Sequence, residues 1–106
     1  IGFPFKAGSS IIKYSFESGV DCVALDWSVD LSWANSFINK DIVIQGNLDP
    51  ASLIPKDSVY LKDNVLSILD KMSDRRFIFN VGHGLTPDCK TDNVKKVIDI
   101  VRNYKR

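Results

Sequence analysis

His83 is the single histidine of the chain and stands between two glycines in the run Asn80-Val81-Gly82-His83-Gly84. An imidazole so placed can donate to a carboxylate, and flanking glycines let the backbone approach a ligand or take dihedrals closed to other residues. The competing reading is a histidine satisfied inside the fold. The run does not open a nucleotide-binding loop, because Pro87 occupies the place of the third glycine in GxGxxG. Lys6-Ala7-Gly8, Asp26-Trp27 and Gln45-Gly46-Asn47-Leu48-Asp49-Pro50 are three more clusters of polar residues and glycine, each directly after an apolar run. One cluster is only what a turn requires. All of them at equivalent places point to a single mouth lined with polar groups. Cys22 and Cys89 are far apart and lack a CxxC partner, so with one histidine no zinc site of the usual spacing can be assembled, and no metal is expected. A disulfide between them is not expected in a chain of cytosolic character.

The elements that must position these clusters alternate. Ile1–Phe5, Cys22–Leu25, Ile42–Ile44 and Phe77–Phe79 are short apolar or β-branched runs without clean polar alternation, which predicts strands buried on both faces. Each is followed by a segment of helical spacing. Ser9 or Ser10 is placed to cap a short helix that Gly19 ends. Leu31, Ala34, Phe37 and Ile38 share one face of a second helix. Leu61, Val65, Ile68, Leu69 and Met72 form the longest stripe, with Asp57 or Ser58 before it as a cap. Val94, Val97, Ile98, Val101 and Tyr104 form the last, opened by Thr91 or Asp92. Such stripes are core-facing.

The order βαβαβαβα predicts an α/β fold with parallel strands joined by helical crossovers. About four β/α units are half of a (β/α)8 TIM barrel, whose full chain runs to about 250 residues. Residues 1–106 are therefore expected to be a single partial domain, with functional groups at the C-terminal strand ends. Lys6, near such an end, is a candidate Schiff-base amine of the kind used by aldolases built on this barrel, although nothing in the sequence marks it as desolvated. A free half-barrel would leave two strand edges unpaired and one sheet face uncovered.

Composition sets the outer limits. With 44% hydrophobic and 25% charged residues and a net charge of +1, the chain has an ordinary globular balance. The densest basic stretch, Arg102 to Arg106, closes the last helix, where cations complement the macrodipole, so no nucleic-acid partner is expected. No run approaches the roughly 20 apolar residues of a membrane span, and no membrane partner is expected. Ile1 stands where a translated chain would have Met, which implies a longer parent, and the expected setting is cytoplasmic.

Phe5-Lys6-Ala7-Gly8, Leu25-Asp26-Trp27, Gln45-Gly46-Asn47-Leu48-Asp49-Pro50 and Phe79-Asn80-Val81-Gly82-His83-Gly84, with the continuation Leu85-Thr86-Pro87-Asp88, resemble the C-terminal portion of uroporphyrinogen decarboxylases in order and spacing. The strings QGNLDP and NVGHGLTPD are the specific ones. The resemblance implies cofactor-free decarboxylation of the four acetate arms of uroporphyrinogen to give coproporphyrinogen, in haem biosynthesis. It further implies that an arginine pair and an aspartate in the N-terminal half of the family's fold carry the chemistry, outside this sequence. No catalytic residue is then expected here, and His83 carries over as a substrate-contacting residue. The isolated chain is expected to be inactive and to self-associate, with a homodimer as the assembly. Two other classes compete with this reading. One is a methyltransferase of a related barrel family, against which the lone His83 and the lack of a cysteine pair argue. The other is a non-catalytic half-barrel whose open edges associate.

Overall fold

The computed structural model describes residues 1–56 and 59–105. Its elements follow the order α1 (Ser10–Glu17), β1 (Cys22–Ala24), α2 (Leu31–Phe37), β2 (Val43–Leu48), a 3-10 turn (Pro50–Leu53), α3 (Leu61–Lys71), β3 (Phe77–Val81) and α4 (Thr91–Asn103). The strands form one parallel three-stranded sheet in sequence order, β1-β2-β3. Val23 pairs with Ile44, and Ile44 in turn with Phe77.

The first expected strand is reduced to a single parallel bridge, Gly2 with Val23. Proline explains where it stops. Pro4 has no N–H for a ladder, and beyond it the chain turns, with Phe5 N–H donating to the Phe3 carbonyl and Ala7 N–H to that of Pro4. The sequence thus yields an α/β sheet of three strands plus a bridge, where four strands were expected.

Two adjoining apolar clusters form the core. Val23, Leu25 and Ile44 meet Ile11 of α1, Leu31 and Ala34 of α2, Ile38, and Met72. Leu48 meets Leu53, Leu61, Val65 and Leu69 of α3, and Val97 of α4. Phe77, Phe79 and Val81 pack from β3 onto these clusters, whereas Ile78 between them is 45% exposed. Burial on both faces therefore holds for β1 but not for β3, whose alternate residues are open to solvent. The helical stripes fit with exceptions. Phe37 and Ile98, placed on the core side by spacing, are exposed, because each lies at the margin of a stripe about one hundred degrees wide.

The starts of α1 and α4 differ from those the sequence suggests. Asp30 caps α2, accepting from the N–H groups of Ser32 and Trp33. Asp49 does the same for the 3-10 turn through Ala51 N–H. Ser9 precedes α1 without a side-chain cap, and α4 starts after Lys90, with Thr91 and Asp92 already inside it. Gly19 follows the end of α1 with φ 71°, as its residue type suggests. Asp57 and Ser58, the expected caps of α3, lie outside the described residues, as does Arg106. Arg102 occupies the last turn of α4. Cys22 and Cys89 are both free thiols, and burial pushes the Cys22 thiol up. No helix among the described residues is long and apolar enough to cross a membrane.

At the N-terminal end of the sheet a buried cation holds the turns together. Arg75, 5% exposed, lies two residues before β3 and donates to the carbonyls of Ile38, Asn39 and Ile42 at 3.4, 2.6 and 2.7 Å and to Asn35 Oδ1 at 3.1 Å. It thereby ties together the C-cap of α2 and the connection to β2, whose carbonyls otherwise need partners. Asn93 plays a comparable part on the other side. Its Nδ2 donates to the carbonyls of Leu53 and Pro55, both at 2.8 Å, tying α4 to the 3-10 turn.

Candidate functional site

The C-terminal strand ends lie on one rim, as parallel strands demand. An open groove of about 360 Å³ runs there, lined among others by Ile1, Phe3, Gln45, Asn80 and His83. Its floor is the sheet face away from the helices. Ala24 and Gln45 are register partners, and Gln45 pairs onward with Ile78.

His83 is exposed on this rim, and its ring lies 5.0 Å, centroid to centroid, from that of Phe5, at an interplanar angle of 50°. The imidazole therefore faces the groove and an aromatic ring; it is not satisfied inside the core. Its two glycines have different reasons. A Cβ on Gly84 would meet nothing within 4 Å, but one on Gly82 would lie 2.4 Å from Trp27 N and 2.8 Å from its Cα. Gly82 thus serves a close approach of the chain to itself, sealed by Gly82 N–H donating to the Leu48 carbonyl at 2.7 Å. Gly82→Ala is expected to destabilise the fold by about 2 kcal/mol, because backbone has to move to relieve the contact. Urea denaturation checks this, and a midpoint equal to that of the wild type would mean that the two loops separate freely.

Asp26 organises the rim from below. It is 2% exposed. Its Oδ2 accepts from Lys6 N–H at 2.9 Å, and its Oδ1 accepts from Ser28 N–H at 2.9 Å and from the Ser28 hydroxyl. Burial opposes its charge, yet the Ser28 hydroxyl, the two N–H donors and the nearby His83 together hold the carboxyl below the usual carboxylate range. Asn47 reinforces the same loop, donating to the carbonyls of Asp26 and Val29 at 2.9 and 2.8 Å. Asp26 and Asn47 lie within the clusters that the sequence singles out, but their work is to fix the loops. Lys6 is exposed, so burial gives its amine no Schiff-base character. The structure brings Lys6, Phe5, Asp26 and His83 together. Asp49, in the same sequence string as Gln45, is turned to the cap of the 3-10 turn instead.

This is a concave, partly apolar rim with one imidazole and neighbouring amide and ammonium groups, suited to holding an anionic ligand with apolar surface. Among the described residues no group of three or more His, Cys, Asp and Glu converges on a metal position.

Comparison with known proteins places the chain. The sequence model described as Uroporphyrinogen decarboxylase (URO-D) matches residues 1–104. Among curated proteins, the uroporphyrinogen decarboxylase of Orientia tsutsugamushi (strain Boryong) is 38% identical over 104 residues, which is 98% of this chain and 30% of the relative. That of Roseobacter denitrificans is 42% identical over 102 residues, covering 96% and 29%. That of Brucella ovis is 41% identical over 105 residues, covering 99% and 30%. The chain spans about 30% of the length of these relatives.

Proposed function

The chain belongs to the uroporphyrinogen decarboxylase family, and from that premise we propose that it supplies the C-terminal strand-helix units of a (β/α)8 uroporphyrinogen decarboxylase. The substrate is uroporphyrinogen, a tetrapyrrole rich in carboxylates. The reaction removes carbon dioxide from its four acetate arms without metal or organic cofactor. The observation that carries this reading is the rim, where His83 opens, just beyond the C-terminal end of β3, over a groove that runs past Asn80 to Gln45. That is where a barrel of this kind keeps its site.

His83 binds a substrate carboxylate through its imidazole N–H. The groups that stabilise charge on the reacting pyrrole come from the remainder of the barrel, so these residues alone bind and orient but do not turn over. In the complete enzyme, His83→Asn is expected to lower kcat/KM about tenfold, the worth of one charge-assisted hydrogen bond. The thermal midpoint stays within a degree or two, because the side chain is exposed (a change well under 1 kcal/mol). Unchanged kcat/KM would remove His83 from the site.

A second reading has its own support. β3 pairs only with β2 among the described residues, and Ile1, Phe3, Phe5 and Ile78 are exposed on or near the uncovered face. Such a surface favours association with another copy, so a homodimer or larger assembly is the state proposed for the isolated chain.

A further inference from the structure

Lys6 is the one non-glycine residue with positive φ, 56°, among the described residues. A Cβ disfavours that region, and a residue stays there only where its surroundings over-determine it. Those surroundings are the buried Asp26 carboxylate on Lys6 N–H and the tight turn made by the Phe5 and Ala7 amides. Glycine would take the same backbone without strain, and Gly8, two residues on, has φ 55°. The turn alone therefore gives no reason for a lysine.

The side chain supplies one. The Lys6 ammonium lies 5.3 Å from the centre of the Phe5 ring, and that same ring lies 5.0 Å from the ring of His83. The Phe5 ring thus neighbours both an ammonium and an imidazole at one rim. The single salt bridge among the described residues joins Lys40 and Asp74, so no carboxylate among these residues forms an ion pair with the Lys6 ammonium.

We propose that Lys6 is a second carboxylate-binding residue of the mouth, acting with His83 beside the Phe5 ring that both neighbour, and that Asp26 is the positioning residue that fixes it there. The ligand is a carboxylate arm of the tetrapyrrole, so the inference rests on the decarboxylase reading. The two nitrogen groups come from different segments and share one aromatic neighbour, and two separate donors suit a broad polyanion better than a single small anion. The shared apolar ring offers a surface for the ligand's own flat, apolar parts.

The test uses the complete enzyme with uroporphyrinogen as substrate. Lys6→Gly relieves the backbone constraint and keeps the turn, so its thermal midpoint is expected to equal or exceed that of the wild type. Its KM is expected to rise about tenfold, with a shallower dependence of KM on salt. Lys6→Met gives the same rise, Lys6→Arg restores most of the affinity, and Lys13→Met, on the exposed side of α1, changes nothing. Asp26→Asn raises KM in the wild-type background and adds little to Lys6→Gly, since both act through one ammonium. Normal wild-type turnover with an unchanged KM in Lys6→Gly and Lys6→Met overturns the inference alone. A wild-type enzyme without decarboxylation overturns the underlying reading, and the inference with it.

Discussion

Purified residues 1–106 should release no measurable carbon dioxide from uroporphyrinogen and should sediment as a dimer or larger species at micromolar concentration. Two physical arguments converge on this result. Groups that act as a unit in catalysis leave little behind when most of the unit is gone, because their contributions are not additive. Here the rim offers an imidazole, amides and an ammonium but no cluster of arginines: of the arginines in the described residues, Arg75 is committed to carbonyls at the opposite end of the sheet, Arg76 donates to the Asp41 carbonyl, and Arg102 sits in the last turn of α4. The second argument concerns area. Ile1 is 77% exposed and Phe3, Phe5 and Ile78 are each 45% exposed, next to a strand edge with open hydrogen-bonding groups. Covering apolar surface gains about 25 cal/mol per Å², and a second copy presents the same groups for pairing. A compact monomer that decarboxylates would overturn both arguments. Mixing the segment with a separately produced remainder of the barrel should restore activity in proportion to the complex formed.

Arg75→Met is expected to cost about 3 kcal/mol of stability, and the cause lies in what the substitution leaves behind. Methionine keeps much of the apolar stem but cannot satisfy the carbonyls of Ile38, Asn39 and Ile42 or the amide oxygen of Asn35. Each buried acceptor left without a donor costs about 1–3 kcal/mol, less whatever water recovers. The ion is itself costly: burial pulls the guanidinium down from its ordinary range, and Nε finds no partner among the described residues. For that reason the loss falls short of the sum of its bonds. Arg75→Lys should recover only part of it, since an ammonium cannot span acceptors set around a planar fork. Urea denaturation of the complete enzyme is the measurement. A change below about 1 kcal/mol would mean that solvent reaches these carbonyls once the side chain is shortened. His83 and Lys6, at the far rim, should keep their effects on KM in this background.

What the sequence discloses follows from how local each signal is. The stripe Leu61, Val65, Leu69 and Met72 is buried as its spacing requires, because a helix face is set by residues three and four apart. Of the polar clusters after apolar runs, Lys6, Asp26 and His83 do meet at one rim, whereas Gln45 to Leu48 continue β2 and Asn80 and Val81 continue β3. Asp30 before Leu31 carries a legible capping signal, an acidic residue immediately ahead of an apolar stripe. Arg75 carries none. In Ser73-Asp74-Arg75-Arg76 the two arginines look like one solvated turn, and only the carbonyls of residues more than thirty positions earlier draw the first inward. Asn93 is equally silent, because its partners Leu53 and Pro55 belong to a turn whose place depends on the whole sheet. Phe77-Ile78-Phe79 reads as a run buried on both sides, yet the face carrying Ile78 is open. Composition does not say whether a neighbour covers it.

The strand order has a consequence for the way this chain is made. Each strand pairs with the one just before it, Cys22 with Val43 and Ile44 with Phe77. No pairing can therefore form until the whole intervening helix has left the ribosome, and none has to wait for anything later. A nascent chain with this order can assemble as it emerges, each new unit docking on an edge already in place. The parallel crossovers make every such step a long-range closure, slow by comparison with a hairpin. Between steps, the newest strand is the one that a chaperone would find.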